Sequence, residues 1–306
     1  MPYLFTCPSC QTKTLVDDQY SGHIGRCVTC DKPIEIPHFL ASLQSTARAH
    51  VPPHVTLSPF TRRLIAAALS VIALVGFAVL AYRYGAPVMS TLTTGRERAL
   101  TVKNLEQIAS ALNAYAADHG VYPMPIVRDS TGRAMHSWRV AILPYLNEQQ
   151  VYNRYDYSKP WDSPENYSLL ESMPSVYASP SQSGLSPYEC HYQLVIGERT
   201  LFPQSGPLSP KQVLDDAAKT ILVVEGIAAR AQGYWTEPSE LDIQAMSAGI
   251  GSNPGTELGS VTAGGAGIAT VDGRGHFLEE AMPFDIVLAL LTANGSEPLA
   301  DDVLDQ

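Results

Sequence analysis

From Leu64 to Tyr82 the chain reads LIAAALSVIALVGFAVLAY, 19 residues in which only Ser70 interrupts the apolar run. Arg62-Arg63 stand before it and Arg83 after it. A helix rises about 1.5 Å per residue, so a run of this length covers roughly 30 Å, the thickness of a bilayer's hydrocarbon core. A core helix of a soluble domain keeps a polar stripe for water, and this run has none. The pattern predicts one transmembrane helix over residues 64–83. The run lies far into the chain and is longer than a typical signal-peptide h-region, so it reads as an uncleaved signal-anchor.

Beyond it, Gly85-Ala86-Pro87 predicts an interruption, and Thr94-Gly95-Arg96-Glu97 fits a capping box that opens a second helix. Val102, Leu105, Ile108, Leu112 and Tyr115 recur at helical spacing up to Gly120. From Tyr122 to Pro210 the periodicity is poor and Pro, Ser and Tyr are frequent. A short helix is expected over Ser137–Tyr145 and short buried strands over Tyr192–Ile196 and Ile221–Val224. Ala266–Val271 and His276–Leu278 flank Asp272-Gly273 as a hairpin. Pro283 opens a last helix over Phe284–Leu291, and the acidic tail Asp301–Asp305 is expected to fray. The fold class expected for 84–306 is α+β, one long N-terminal helix with a small antiparallel sheet.

Residues 3–36 carry Cys7-Pro8-Ser9-Cys10 and Cys27-Val28-Thr29-Cys30, separated by 16 residues. Each C-x-x-C turn aims two thiolates at one point, and two such turns complete a tetrahedron around Zn²⁺. Cys7, Cys10, Cys27 and Cys30 are therefore the expected ligands of one structural zinc in a ribbon over residues 1–38. Two disulfides are the competing reading. So small a module cannot bury enough surface to fold unaided, and the metal would supply the folding energy. His23 is expected to be a bystander. Pro37, Pro52, Pro53 and Pro59 mark a flexible linker over 39–63.

Charge is unevenly spread. Residues 1–63 hold six Lys/Arg against four Asp/Glu, a net +2, whereas residues 84–306 hold 13 against 26, a net −13. An acidic main domain argues against nucleic acid as a partner. Four of the five cysteines precede the apolar run, which favours a reducing compartment for the ribbon. Both asymmetries predict a cytoplasmic ribbon, a single span of the cytoplasmic membrane and an extracytoplasmic acidic domain.

Several segments, in order, resemble a large paralogous bacterial family of pilin-like proteins of unknown function, known by a prepilin-type N-terminus and an H-X9-DG signature. They are NLEQIASALNAYAADHGVYP from Asn104, SWRVAILPYLNEQQVYNRYD from Ser137, PWDSPEN from Pro160, TILVVEG from Thr220, YWTEPSEL from Tyr234, GGAGIATVDGRGHFL from Gly264 and LLTANGSEPL from Leu290. The resemblance spans about residues 96–300 and implies a pilin-like domain, a long N-terminal helix laid on an antiparallel sheet. The chain departs from the family in three places. Thr262 stands at the signature His, Ser179-Pro180-Ser181 replaces a Cys-Pro-Ser, and a ribbon and linker stand where a short basic leader and Gly-Phe-Thr-Leu-x-Glu belong. At the mouth of the apolar run Pro59 precedes Phe60, and residues 36–96 contain no Asp or Glu. The chain is therefore expected to keep its N-terminal part rather than be processed into a fibre subunit.

No catalytic set converges in the sequence. Cys190 and His191 are neighbours whose side chains point apart on a strand, and no G-x-S-x-G or phosphate loop is present. The resemblance extends to pseudopilins, some of which hold calcium in a loop, and makes Asp162 and Glu165, or Asp272, candidates for such a site, with turn formation and capping as the competing role. Trp138, Trp161 and Trp235 are candidates for a binding surface. The expected function is a membrane-anchored, pilin-like structural or protein-interaction protein, not an enzyme. Its partners would be a pilin-like or secretion-type assembly, or a cytoplasmic partner of the ribbon. The alternative is an anchored receptor that binds a solute or envelope polymer outside and signals through the ribbon.

Overall fold

The computed structural model describes residues 2–38, 58–80, 83, 86–181, 186–229, 232–247, 249–259, 262 and 264–304. The chain divides into two units, Met1–Val75 and Gly76–Gln306.

The first unit begins with two hairpins. Strands β1 (Tyr3–Thr6) and β2 (Lys13–Val16) pair antiparallel, as do β3 (Ile24–Arg26) and β4 (Pro33–Glu35). Residues 39–57, most of the expected linker, lie outside the described residues. Helix α1 (Pro59–Leu80) then starts earlier than the apolar run. Ser58 caps it, its Oγ accepting from Thr61 N at 3.2 Å, and Pro59 takes the first helical position, where a missing N–H costs nothing. Residues 59–63, expected as linker, are therefore helical. No residue of α1 is buried.

In the second unit helix α2 runs from Ala86 to His119. The capping box expected at Thr94 does not form, because the helix already begins at Ala86. Pro87 sits in its first turn, and a 34-residue helix tolerates Gly95 in its interior. Gly120, at φ +80°, ends it in the left-handed conformation that favours glycine. Thr101, Leu105, Ile108, Leu112 and Ala116 form its buried stripe, while Val102 and Tyr115 lie at the margin.

The hairpin β5 (Ile126–Arg128) and β6 (Ala134–Ser137) leads into α3 (Trp138–Ala141), a short 3₁₀ turn at 143–146, α4 (Gln149–Arg154) and α5 (Pro164–Tyr167). The strand expected over Tyr192–Ile196 is two strands in different sheets, β7 (Tyr192–Gln193) and β8 (Val195–Ile196). After β9 (Ile221–Glu225) and β10 (Leu241–Asp242) come β11 (Gly265–Thr270), β12 (Gly275–Glu279) and α6 (Phe284–Leu291). The main sheet is antiparallel with order β12-β11-β9-β7, and β8 pairs in parallel with β10. Strands β9 and β11 are buried along their whole length, between one apolar cluster that includes the α2 stripe and another that includes α6.

The glycines of the segment from Gly264 have a packing role. A Cβ on Gly267 would lie 2.5 Å from Thr101 Cγ2 and 2.7 Å from Leu105 Cδ1, so this residue lets α2 settle on β11. Gly273, at φ +88°, makes the turn between β11 and β12. The tail does not fray as expected through Leu304. Val303 is buried against the α6 cluster and Lys219 Nζ meets Asp301 Oδ1 at 2.9 Å.

Candidate metal centre

The two hairpins of the first unit end in equivalent turns. Cys7 N donates to Thr12 O and Gln11 N to Cys7 O, and Cys27 N donates to Lys32 O and Asp31 N to Cys27 O. Gln11 (φ 63°) and Asp31 (φ 53°) adopt the left-handed conformation at matching places, one residue after the second cysteine of each pair. The repeated turn brings all four sulfurs within 4.8 Å of one another. Cys7 Sγ lies 3.9 Å from Cys30 Sγ, and Cys10 Sγ 3.7 Å from Cys27 Sγ. A tetrahedron with Zn–S bonds of about 2.3 Å has edges of about 3.8 Å, whereas a disulfide needs about 2.05 Å. The four residues fit a metal ion and none is in a disulfide. All four positions of such a tetrahedron are taken by protein, leaving none open for a substrate. His23 stays out of the cluster, with Nδ1 3.3 Å from Ser21 O.

The thiols do not share one proton affinity. The Thr12 hydroxyl and N–H hold Cys10 down at about 6, and the N–H groups of Thr29 and Cys30 lower Cys27. The Lys32 N–H favours a Cys30 thiolate, but Cys10, burial and Cys27 outweigh it and push that thiol up to about 11. Four thiolates at this separation repel, and a divalent cation removes the conflict.

Among the described residues these cysteines are the one group of three or more His, Cys, Asp or Glu whose ligand atoms converge. The acidic candidates of the second unit are each tied up separately, in a turn or an ion pair. Arg133 Nη2 contacts both Asp162 oxygens at 2.9 and 3.1 Å, Glu165 pairs with Lys159, and Asp272 Oδ1 accepts from Thr270 Oγ1 at 2.6 Å and Arg274 N at 3.1 Å. Trp138 and Trp235 are 0% exposed, so the three tryptophans do not form a surface. Trp235 Nε1 donates to Leu170 O at 3.2 Å and its ring stacks on Tyr177. Cys190 and His191 are both buried. Burial pushes the Cys190 thiol up and His191 down.

Sequence reasoning missed the central polar cluster of this unit. Glu240 accepts from Trp138 Nε1 at 2.7 Å, Arg139 Nη1 at 3.0 Å and Leu194 N at 2.6 Å. Arg139 also donates from Nε and Nη2 to Tyr192 O, at 3.1 and 2.6 Å, and from Nη1 to Ser137 Oγ at 2.9 Å. Burial pushes the Glu240 carboxyl up to about 7 and opposes the Arg139 cation, but each charge favours the other. Both Glu240 oxygens face donors, so the geometry favours the ionised pair. The signal was in the quoted segments, which carry Trp138-Arg139 and Glu240. Asn166 of PWDSPEN is likewise fully buried. Its Nδ2 donates to the carbonyls of Asp156, Lys159 and Pro160, and its Oδ1 accepts from Asp156 N at 2.8 Å.

No curated protein and no solved structure matches the chain. Residues 94–212, from the first third of α2 to the turn that precedes β9, match the family described as "Protein of unknown function (DUF1559)", which fits the family of pilin-like proteins of unknown function that the sequence resembles.

Proposed function

We propose that the chain is a single-span membrane protein whose outer domain and inner ribbon bind other proteins. The observation that carries this reading is helix α1. It is 22 residues long, apolar from Leu64 to its end except for Ser70, and none of its residues is buried. Water does not tolerate so large an uncovered apolar surface, and a bilayer covers it. The ribbon would lie in the cytoplasm, where its thiolates stay reduced and hold a structural zinc through Cys7, Cys10, Cys27 and Cys30. The acidic second unit, with its long helix on an antiparallel sheet, would stand outside as a pilin-like domain.

Binding rather than catalysis is supported by how the reactive groups are used. The carboxylates singled out in the sequence are tied into turns and loop ion pairs, and Cys190 and His191 are buried. A cleft lined by the three tryptophans would favour the receptor alternative, and two of them belong to the core. Polymerisation as a processed subunit is disfavoured by Pro59 before Phe60 and by Arg62-Arg63 at the mouth of α1.

Protease shaving of intact cells, read with antibodies to each unit, tests the topology. The expected result is loss of the second unit with the ribbon spared until lysis. Protection of the second unit in intact cells reverses the orientation. The intact mass of the membrane-extracted protein tests processing, and a form beginning near Phe60 would restore the fibre reading.

A further inference from the structure

A groove of about 480 Å³ lies between the β5 hairpin and the ends of β8 and β10. Its volume is that of an ordinary ligand site. Met124, Ile126, Ile196 and Phe202 contribute apolar surface, Glu198 and Asp242 put two carboxylates on one side, and Arg128 stands on the other. Arg128 is already engaged, its Nη1 donating to Gly132 O at 3.0 Å, and Asp242 Oδ1 accepts from Gln244 N at 2.9 Å, which leaves its carboxylate charged.

One wall of the groove carries an unused strand edge. Trp138 N donates to Pro125 O at 3.3 Å, and Ile126 is opposite Ser137 in the β5–β6 register. Ile126 therefore occupies a non-hydrogen-bonded position of that pair, and its N–H and C=O face away from β6. Neither has a hydrogen-bond partner among the described residues. On the other wall Leu241 N donates to Leu194 O and Ile243 N to Ile196 O, so the backbone N–H of Asp242 faces away from β8.

We infer that this groove binds an extended segment of a partner protein in which apolar residues alternate with Lys or Arg. An added strand would pair its backbone with Ile126 and set alternate side chains on opposite sides. The apolar ones would cover Met124 and Ile196, and the basic ones would meet Glu198 and Asp242. The net −13 of residues 84–306 favours the same sign of partner. A sugar would need an exposed ring to stack on, and Phe202 is only 3% exposed. An anion would face two carboxylates with the one Arg of the lining already bonded. This deepens the protein-binding reading above and rests on it.

The test uses the full chain in neutral detergent micelles and fluorescein-labelled hexapeptides, read by anisotropy. The probe is (Val-Lys)3, with (Val-Glu)3, (Gly-Lys)3 and a (Val-Lys)3 N-methylated at alternate amides as controls. Saturable binding of (Val-Lys)3 alone is expected. Glu198→Lys with Asp242→Lys should weaken it by about tenfold or more, and Asp285→Lys, an acid on α6 outside the groove, by less than about twofold. Ile126→Pro removes the outward N–H together with the Ile126 side chain and should abolish binding, since an edge position that donates to no strand accepts Pro, while Ile126→Ala, which keeps the N–H, should weaken binding without abolishing it. The N-methylated peptide repeats that test without altering the protein. Equal binding of (Gly-Lys)3 or of the N-methylated peptide, equal loss from Asp285→Lys, or no saturable binding overturns the inference. Membrane retention and zinc content are read on the same preparation, so failure of the groove is distinguishable from failure of the anchored-protein reading.

Discussion

Arg139 and Glu240, 101 residues apart in sequence, meet at 3.0 Å with side chains only 1% and 0% exposed. Each alone would be a buried charge without a counter-ion, and together they fasten α3 to the segments before β8 and β10. Removing one partner of such a pair costs about 3–5 kcal/mol, because the other is left uncompensated. Glu240→Ala should destabilise the second unit by that amount. Glu240→Gln, which keeps an acceptor for Trp138 Nε1 and Arg139, should cost less. Urea unfolding followed by tryptophan emission measures both, and Trp138 reports directly because it donates to Glu240. An effect of Glu240→Ala below about 1 kcal/mol would mean that the pair is solvated in solution.

What was legible in the sequence follows the range of the interactions. The buried stripe of α2 and the two C-x-x-C turns are written in local spacing, so periodicity and ligand arithmetic found them. The start of α2 was misplaced because Thr94–Glu97 satisfies a local rule that the longer helix overrides. The Arg139–Glu240 pair depends on which distant segments meet, and no short-range pattern encodes that, whereas the Asn166 cradle closes on Asp156, Lys159 and Pro160 nearby in the chain through side-chain bonds that periodicity does not report. The resemblance pointed to the right segments without showing that Trp138-Arg139 of one bonds Glu240 of another.

Two glycines in this fold should respond to the same substitution with opposite signs. Gly95 lies within α2, and a Cβ there meets nothing within 4 Å. Gly95→Ala should raise stability by about 0.5–1 kcal/mol, the usual difference between these residues in a helix. Gly267→Ala places a methyl 2.5 Å from Thr101 Cγ2 and should cost about 1–3 kcal/mol as α2 is lifted from β11. Thermal melts of the two variants side by side decide it, and a shared sign would show that α2 does not pack on β11 as described.

The second unit should also weaken in mild acid. Burial holds His136 and His191 below the ordinary histidine value of 6.5. Folding keeps both rings neutral, so their contribution is fully present above pH 6.5 and is lost as pH falls through the lowered folded values. Other groups titrate over the same range, so the histidine part must be isolated by difference. The double variant His136→Asn with His191→Asn should show a smaller loss of stability than the parent between pH 7.5 and 5.5. Denaturant midpoints at both pH values provide the measurement, and identical losses would assign the acid sensitivity elsewhere.

Removal of the metal should separate the two units. The hairpins of the ribbon leave Leu4, Leu15, Ile24 and Val28 largely exposed, so apolar burial contributes little there. The four sulfurs, spaced as a tetrahedron requires, are the feature that would hold the hairpins together. Structural zinc in such small modules contributes about 10–16 kcal/mol. The second unit has its own buried clusters and no converging ligand set among its described residues. Elemental analysis of the full chain should therefore find one zinc per molecule. A strong chelator should make the segment before the linker protease-sensitive while the tryptophan emission, all of it from the second unit, stays unchanged. Cys7→Ser should reproduce the effect without chelator, since three thiolates leave the tetrahedron open. A thiol reagent added after chelation should then modify four cysteines and spare Cys190, which is 2% exposed, until denaturant is present. Retention of a protease-resistant ribbon in metal-free protein would show that disulfides or packing hold the hairpins, and the zinc assignment would fall.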